Sequence, residues 1–249
     1  MSASPSWEVV LDIDDLNTKE GKSWVYKGHD VYKAEEKGVK SRRCLFRLSD
    51  GGADATTVRE FDILDKKFIT AAEGGFELPQ FKNSCSWIDI DTLLIGTDYG
   101  DGKSVTDSGY PMTVRKWKRN TPYVDAEFIF SGNVEDVIVT GYRSKHQGKS
   151  RQMIRQAPSF YTNNVFLLSE SGHTVNRVPK QDSASCSIFS DNFLIDLRED
   201  WTVDGLTFTS GSLLSIPVQT MMSGAYKSND IQVLFTPSAL TSLEDYSMT

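Results

Sequence analysis

The sequence predicts an all-β fold, namely a β-propeller built from four-stranded antiparallel blades. The first observation is an internal repeat, in which Ser84–Ile95 returns as Ser185–Ile195, 101 residues further along the chain. A third apolar run, Asp136–Tyr142, lies halfway between them, so the period is about 50 residues. The second observation is that every unit consists of short apolar or alternating runs, without the long 3.6-residue periodicity of helices. Strand repeats of this length are typical of propeller blades.

The elements are apolar or alternating runs of four to eight residues that stop at Gly, Asp, Asn or Pro. They form a lone strand, four groups of four strands and a second lone strand: Trp7–Asp12; Trp24–Val31, Cys44–Leu48, Val58–Ile63, Phe76–Leu78; Cys85–Ile90, Leu93–Thr97, Met112–Trp117, Ala126–Phe130; Val137–Tyr142, Gln152–Arg155, Val165–Leu168, Thr174–Val178; Cys186–Phe189, Phe193–Leu197, Ser212–Ile216, Ile231–Phe235; Leu243–Met248. We therefore expect a single, partial propeller domain over 1–249. It has four complete blades at about 22–79, 84–132, 136–179 and 185–237, and one extra strand at each end, 7–13 and 242–249.

Turns and helices complete the pattern. Gly51-Gly52 and Asp204-Gly205 supply the positive φ angles that tight turns need. Two short helices are expected, Val218–Gly224, which ends at a glycine, and Leu16–Glu20. In a propeller the first strand of a blade lines the central axis and the last faces solvent. The two flanking strands would therefore belong to incomplete neighbouring blades.

Composition narrows the partners and the compartment. The chain has 27 basic and 34 acidic residues, a net charge of −7, and an acidic surface repels nucleic acid and anionic membranes. No run approaches the roughly 18 apolar residues of a membrane span, and the first residues have no signal-peptide pattern. Cys44, Cys85 and Cys186 lack metal-binding spacing and suit structural thiols in a reducing compartment. We expect a cytoplasmic protein without nucleic-acid or membrane partners.

Residues for hydrolysis or metal binding do not form a recognisable pattern. A serine nucleophile needs a G-x-S-x-G elbow and a histidine base, and the elbow is absent from the sequence. His29, His146 and His173 are expected on the solvated surface. Asp89 and Asp91 suit calcium binding or the acid–base chemistry of sugar-cleaving propellers, but a turn cap explains them better. We expect no catalytic residue, no metal site and no cofactor in this chain.

The segment Arg115–Arg119 alternates cations with a tryptophan. In a strand, Lys116 and Lys118 share one face, and Trp117 shares the other with the two arginines. An outer strand with arginine stacked on tryptophan is favoured over a nucleic-acid patch, which would need a net basic surface.

Longer motifs resemble one known family. The stretch Ile90–Pro122 contains D-T-L-L-I-G-T-D-Y-G, T-D-S-G-Y-P and W-K-R-N-T-P, and it is similar to the propeller domain of prolyl-oligopeptidase-family serine peptidases, in the bacterial-type branch. S-D-G-G-A-D-A and V-R-E-F-D, within Leu48–Asp62, and E-D-W-T-V, at Glu199–Val203, match the same family in the same order. The resemblance extends from about Trp7 to Thr249.

In that family a seven-bladed propeller covers an α/β-hydrolase domain that carries the catalytic serine, aspartate and histidine. The propeller admits only short peptides, which are typically cleaved after proline. The resemblance implies that this chain is part of the N-terminal propeller, without the hydrolase domain and about three blades. It would gate the access of short proline-containing peptides to that partner domain and would catalyse nothing alone. The alternative is a stand-alone propeller scaffold from a truncated gene that binds peptides or proteins.

The resemblance also suggests substrate- or domain-facing residues. Asn83 precedes an innermost strand near the mouth that faces the hydrolase, and a loop carries Asp107, Ser108 and Tyr110 towards the same face. A purely structural role of this loop in fixing a turn is the alternative. The flanking strands cannot pair directly within a blade. Either the four blades close around a smaller ring, in which the two flanking strands form a fifth blade, or the open blade edges pair between chains. We favour the second outcome, a homo-oligomer.

Overall fold

The structure is a computed structural model that describes residues 6–33, 41–169 and 175–246. It is an all-β propeller, and the prediction of four antiparallel blades is confirmed. Every blade is a separate antiparallel sheet whose strands mostly follow one another in chain order. Within the described residues, neither α-helix is long and apolar enough to cross a membrane.

The N-terminal segment differs from the prediction. Residues 6–12 form no strand, and helix α1, Ile13–Glu20, follows them. The carboxylate of Asp12 caps this helix by accepting hydrogen bonds from the N–H groups of Asp14 at 2.9 Å and Asp15 at 3.1 Å. The predicted strand at 7–13 is therefore wrong: Ile13 belongs to the helix, and residues 6–12 pair with no described strand, although the Lys66 ammonium donates to Glu8 and to Val9 O. The short helix predicted at Leu16–Glu20 is confirmed, with an earlier start.

Blade 1 contains five strands: β1 (Trp24–Val31), β2 (Arg43–Asp50), β3 (Thr56–Asp62), β4 (Lys67–Phe68) and β5 (Glu77–Phe81). Strands β4 and β5 both pair with β3, one at each end, so they share the position of the outer strand. The outer edge of this blade is therefore split, whereas the prediction had a single fourth strand.

Blades 2 and 3 each contain four strands in chain order. Blade 2 contains β6 (Ser84–Asp89), β7 (Thr92–Gly96), β8 (Thr113–Lys118) and β9 (Glu127–Ser131). Blade 3 contains β10 (Ile138–His146), β11 (Lys149–Ala157), β12 (Asn164–Leu168) and β13 (Val175–Arg177). The first hairpin of blade 3 is the longest in the described chain, since β10 and β11 have nine residues each. Thr174, where the last strand of this blade was predicted to begin, lies outside the described residues.

Blade 4 contains an inserted hairpin. Its strands β14 (Ser185–Phe189) and β15 (Asn192–Asp196) are followed by the separate pair β16 (Trp201–Val203) and β17 (Leu206–Phe208). The sheet then continues with β18 (Leu213–Pro217), the helix α2 (Val218–Met222) and β19 (Gln232–Phe235). The helix predicted at Val218–Gly224 is confirmed.

The predicted C-terminal strand at 242–249 is also not formed where the structure describes it. Residues 242–246 adopt no strand, and residues 247–249 lie outside the described part. The hydroxyl of Tyr246 lies 3.1 Å from the Ser187 hydroxyl, so this segment is tied to strand β14 by a side chain. The nearest pairing is the single bridge between Ser238 and Thr241, which closes a turn. A tight turn and side-chain contacts therefore replace the expected ladder.

The hydrophobic core lies between neighbouring blades. Because side chains alternate along a strand, each sheet gives one set of apolar residues to each neighbour. On β7, Leu93 and Ile95 pack towards blade 1, whereas Leu94 packs towards blade 3. The three interblade clusters include Leu45, Val58, Leu78, Trp87, Leu93, Ile95 and Trp117; Leu94, Val114, Val139, Ile154 and Leu168; and Met153, Val165, Ile188, Phe193, Ile195, Leu214 and Ile216.

A glycine permits the closest approach of two blades. A Cβ atom added at Gly141, on β10, would lie 2.7 Å from Cγ1 of Val114 and 3.1 Å from Cβ of Leu94. Real side chains do not tolerate such contacts, so the first strand of blade 3 lies against blade 2 only because it has no side chain there. This close packing brings the first strands together around the propeller axis.

Candidate functional site

The front face of the propeller is defined here as the face at which the first strand of each blade begins. In blade 2, Ser84 pairs with Gly96, so the start of β6 and the loop 97–112 lie at the same end of the sheet. The loops 51–55, 158–163 and 197–212 have the corresponding position in the other blades. These loops contact the neighbouring blades, as when the hydroxyl of Tyr110 donates to Asp54 at 2.9 Å. The opposite face is called the rear face.

All four residues suggested by the sequence lie on the front face at the junction of blades 1 and 2. The Lys82 ammonium contacts two of them, since it donates to the backbone oxygen of Ser108 at 2.7 Å and lies 4.1 Å from the ring centre of Tyr110. Asp107 and Ser108 are exposed, and the N–H of Asp107 donates to Val134 O at 2.8 Å, near blade 3.

The amide of Asn83 is used by the fold itself. It donates to Thr56 O at 2.5 Å and to Pro79 O at 2.7 Å, and it accepts from the Thr97 hydroxyl at 2.6 Å. These contacts join the end of blade 1 to the second strand of blade 2. Of the four suggested residues, Asp107 and Ser108 are exposed, with the Ser108 hydroxyl 3.2 Å from that of Thr106, while Asn83 and Tyr110 hold the junction. Their contact with a substrate or domain stays a prediction.

Exposed apolar side chains also mark the front face. Phe160 and Tyr161 are 85% and 86% exposed on the loop between β11 and β12. The Ser159 hydroxyl accepts from the N–H groups of Tyr161 and Thr162 at 3.2 and 3.1 Å, so the loop is a hydrogen-bonded turn. Leu206, on the inserted hairpin, is 51% exposed. Adjacent exposed aromatic side chains are typical of interaction surfaces.

A pocket of about 360 Å³, called the channel below, lies at the propeller axis between the first strands of all four blades. It is partly open to solvent. Its lining includes Asp30 from β1, Trp87 from β6, Arg143 and Lys145 from β10, Ile188 from β14, and Lys33, Ser86, Tyr142, Ser144, His146, Cys186 and Ser187. Strand β1 therefore reaches the axis together with β6, β10 and β14.

Alternation along β10 divides its side chains between the neighbouring blades. Arg143 donates to the backbone oxygen of Ile88 in blade 2, and Ser144 donates to Ile188 O in blade 4 at 3.1 Å. The ring of His146 lies 5.4 Å from the ring of Phe189, also in blade 4. The sequence predicted a solvated surface position for His146. This is wrong, because the side chain is half-buried at the axis. His29 is exposed, and His173 lies outside the described residues.

The ionisable groups at the axis are perturbed by burial. Burial raises the pKa of Asp30, and the nearby charge of Arg47 acts in the opposite direction. Burial also raises the pKa of Cys44 and of Cys186, each to about 12, and raises the pKa of Cys85. These cysteines are free thiols that stay protonated at neutral pH, which does not suit a nucleophile. Among residues 6–33, 41–169 and 175–246, no His, Cys, Asp or Glu side chains cluster in a way that could hold a metal ion.

The sequence interpretation missed the polar lining of the channel. The strand predicted at Val137–Tyr142 ends before Arg143, whereas β10 continues to His146. The available signal was the alternation of Arg143, Ser144 and Lys145 directly after an apolar run that begins a blade. A first strand whose last residues are polar indicates that the propeller axis is accessible to solvent, and this pattern could have located the channel.

Comparison with curated proteins finds longer relatives. No family model matches the chain. The chain is 31% identical over 243 residues to an uncharacterized peptidase of Sinorhizobium fredii, and this match covers 95% of this chain and 32% of that protein. It is 24% identical over 251 residues to an uncharacterized peptidase of Rickettsia prowazekii, and this match covers 94% of this chain and 33% of that protein. The chain therefore spans about a third of the length of the curated relatives it matches.

Solved structures share the fold. A post-proline cleaving enzyme from Rickettsia typhi matches with a TM-score of 0.82 and 25% identity over 95% of this chain and 35% of that one. Oligopeptidase B from Leishmania major matches with a TM-score of 0.56 and 16% identity over 88% of this chain and 28% of that one, a likeness that shows the fold alone. In both cases the chain matches only a part of a longer polypeptide.

Proposed function

We propose that this chain, which is a partial β-propeller of the prolyl-oligopeptidase family, covers an α/β-hydrolase domain and restricts its access to short peptides. Cleavage after proline is the activity named for the similar Rickettsia typhi enzyme, and we propose the same activity for the assembled protein. In this proposal the propeller supplies the entrance, and the catalytic serine, aspartate and histidine belong to the partner domain.

The observation that carries the proposal is the polar channel at the axis. Charged and hydroxyl side chains from the first strands line it together with Val31, Trp87 and Ile188, while most of the apolar core lies between the blades. A volume of about 360 Å³ suits a few residues of an extended chain and is too small for a folded domain. A propeller with such a passage would pass short peptides and hold back folded proteins.

The front face is the surface that we propose to contact the hydrolase domain. It presents Phe160 and Tyr161, and also Asp107 and Ser108, all of which are exposed. Aromatic side chains with little conformational freedom contribute a large share of binding energy at interfaces. Because its lining includes the last residues of β1 and β10, the channel opens towards the rear face, and a peptide would have to pass along the axis to reach the covered front face.

Two further parts of the proposal concern the surroundings of the chain. We propose that it acts in the cytoplasm, which the three free cysteines support because thiols stay reduced there. We also propose that exposed blade edges can pair between chains into a homo-oligomer. The exposed Val233 and Leu234 on β19, the outer strand of blade 4, support this edge as a contact. Sedimentation of the purified chain over a range of concentrations tests this association.

A chimera tests the gating function. This chain would replace the matching third of the Rickettsia typhi enzyme, and cleavage of a short proline-containing peptide would be compared with cleavage of a long unfolded protein. We expect the chimera to cleave the peptide and spare the long substrate. Equal cleavage of both substrates by a folded chimera would contradict gating and would favour a stand-alone scaffold.

Matched variants test the docking face in the same chimera. Phe160→Ser with Tyr161→Ser removes exposed aromatic rings from the front face, and we expect the long substrate to become cleavable as the domains separate. Phe128→Ser is the control, because Phe128 is 58% exposed on β9, the outer strand of blade 2. The control should keep the discrimination. If both variants behave alike, the front face is not the docking surface.

A further inference from the structure

We propose that a second pocket, called the aromatic pocket below, binds the proline ring and the neighbouring carbonyl groups of an extended polypeptide segment. It lies between the outer parts of blades 1 and 2, has a volume of about 430 Å³ and is partly open to solvent. Ligand-binding pockets typically have about 300–1,000 Å³. Its described lining shares no residue with that of the channel, so this inference goes beyond the proposed function. The residues that carry it are Gly74, Phe76, Trp117, Asn120 and Tyr123.

Two loops form the aromatic pocket. The turn 119–123 follows β8 at the rear end of blade 2, and the loop 69–76 precedes β5 in the outer part of blade 1. The Arg119 guanidinium joins them, since it donates to Gly74 O at 2.8 Å and to the buried carboxylate of Glu60 at 2.7 Å. The two loops are thus fixed relative to each other before a ligand binds, which lowers the entropic cost of binding.

Aromatic rings form the inner surface of the pocket. The ring centres of Phe76 and Trp117 are 4.8 Å apart at an angle of 68°, and those of Trp117 and Tyr123 are 6.3 Å apart at 74°. Phe76 and Trp117 are buried, whereas Tyr123 is half-buried and Pro122 is exposed. Proline-rich segments, whose polyproline II conformation is already extended, dock in aromatic-lined grooves of this kind.

Two hydrogen-bond donors in the pocket are available to a ligand. The indole N–H of Trp117 is not one of them, because it donates to Thr121 O at 2.7 Å. The side-chain amide of Asn120 and the hydroxyl of Tyr123 form no hydrogen bond within the described part of the chain. A proline has no N–H of its own, and the carbonyl groups of a polyproline II segment have no internal partner. Donors next to aromatic rings therefore match such a segment.

Glu77 does not make the pocket a site for a cation. It contributes to the lining, but Phe76 and Leu78, on either side of it, both pack towards blade 2. Side chains alternate along a strand, so the Glu77 carboxylate points away from blade 2 and from the pocket. A lysine or arginine side chain would therefore meet the rings without this carboxylate as counter-ion, whereas a neutral proline ring needs none.

The position of Asn120 allows a variant that keeps the fold. Its φ is 61°, a left-handed conformation that glycine adopts without strain. Gly74 lies directly opposite, since a Cβ atom added there would be 2.7 Å from Oδ1 of Asn120. Asn120→Gly therefore removes the amide and keeps the turn, and Tyr123→Phe removes the hydroxyl and keeps the ring. Each should weaken binding about fivefold, which corresponds to one hydrogen bond.

Nitrogen-15 NMR spectra of the tryptophan indole groups test the inference. The purified chain is titrated with the capped peptide Ala-Pro-Pro-Ala-Pro and with a peptide of the same length that has alanine in place of every proline. We expect the Trp117 resonance, assigned with Trp117→Phe, to shift with the proline peptide and not with the alanine peptide. Trp87 reports on the channel, because it lines the channel and its indole N–H donates to Asp30 O at 3.0 Å. A shift at Trp87 without one at Trp117, or equal shifts at Trp117 with both peptides, would overturn the inference.

Dissociation constants from the Trp117 shift complete the test. Asn120→Gly with Tyr123→Phe should bind the proline peptide about 25-fold more weakly than the unchanged chain. Asp204→Gly is the control, because Asp204 also has a positive φ, 47°, and lies exposed on a turn at the front face. The control should keep the affinity. Unchanged affinity in the double variant would show that the segment binds elsewhere and would overturn the inference.

Discussion

The interface between blades 1 and 2 and the interface between blades 3 and 4 have the same position in the repeat but different chemistry. The first contains Glu60, which is fully buried and bound by Arg119 through two hydrogen bonds of 2.7 and 3.1 Å. The second has an aliphatic and aromatic core, and its ion pair, between Arg151 and Asp191, lies at the surface. Repetition of a fold therefore fixes where blades meet and leaves open how the contact is stabilised.

The buried ion pair makes the first interface specific. The guanidinium of Arg119 also donates to Asp91 at 2.9 Å and lies 4.4 Å from the ring centre of Phe76. The N–H of Phe76 donates to the Glu60 carboxylate at 2.9 Å. A carboxylate without these partners would be strongly unfavourable in this position, so only one register of the two blades satisfies it. The core of the second interface contains apolar side chains, which have no comparable hydrogen-bonding requirement.

Removal of Arg119 should have the largest effect. Arg119→Met removes the guanidinium that donates two hydrogen bonds to the buried carboxylate of Glu60 and leaves Arg43, at 3.7 Å, as its remaining cation, so we expect the free energy of unfolding to fall by about 3 kcal/mol. Urea denaturation measures this change. The double variant Arg119→Met with Glu60→Gln should recover part of the loss, because a neutral amide is less costly to bury. A loss below about 1 kcal/mol in the single variant would mean that the pair does not stabilise the interface.

Truncation in the aliphatic interface should have the next largest effect. Ile195 is fully buried in the core between blades 3 and 4, and Ile195→Ala removes buried apolar volume. We expect a loss of about 2–4 kcal/mol in the same urea assay, and only about 1 kcal/mol for Ile195→Val. Equal losses for the two variants would indicate that the site collapses or that the residue is not packed as described.

The two interfaces should also differ in alkaline solution. Lys180 is 8% exposed near blade 4, and its ammonium donates to Asn163 O and Gln181 O at 2.8 and 2.9 Å. Burial lowers the pKa of Lys180 from 10.5 to about 8. Between these values the unfolded chain keeps a proton that the folded chain has released, so this group makes stability rise with pH.

The variant Lys180→Met should remove this rise between pH 8 and 10.5, which amounts to at most about 1.4 kcal/mol per pH unit. The measurement is the difference in unfolding free energy between variant and unchanged chain across that range. Lys118→Met is the control, since Lys118 is exposed on β8. Parallel pH profiles for the unchanged chain and Lys180→Met would show that Lys180 is not desolvated.

The surface ion pair should have the smallest effect. Asp191 is half exposed and lies 2.7 Å from the Arg151 guanidinium, and it also contacts Lys149. We expect Asp191→Asn to lower stability by about 1 kcal/mol or less, and the difference to disappear at high salt because exposed charges are screened. A larger loss that persists at high salt would make this interface as dependent on charge as the first one.

Much of the fold could be predicted from the sequence because each blade repeats an apolar pattern. The repeated run that begins with Cys85 and Cys186 identified two first strands, and the tight turns separated the others. The two flanking strands could not be predicted in the same way. Apolar alternation over Trp7–Asp12 is compatible with a strand, but a strand also needs a pairing partner, and residues 6–12 have none among the described strands.

The site was predicted in part. The four suggested residues lie together on the front face, but sequence alone could not show that the amide of Asn83 is used by Thr56, Pro79 and Thr97. The expected stacking of arginine on Trp117 was wrong, because Arg115 stacks on Tyr99 and Arg119 on Phe76 from the neighbouring blade. Contacts between blades depend on the rotation of one sheet against the next, and no local sequence pattern predicts this rotation.

Hydrogen exchange with and without a short proline-containing peptide tests the central claim most directly. The claim is that the first strands surround the channel that binds the peptide. We predict slower exchange in the peptide-bound chain at Ser86–Trp87 and Tyr142–His146, with no change in the outer strands β9 and β19. Protection confined to the outer strands, with the channel strands unchanged, would contradict the account.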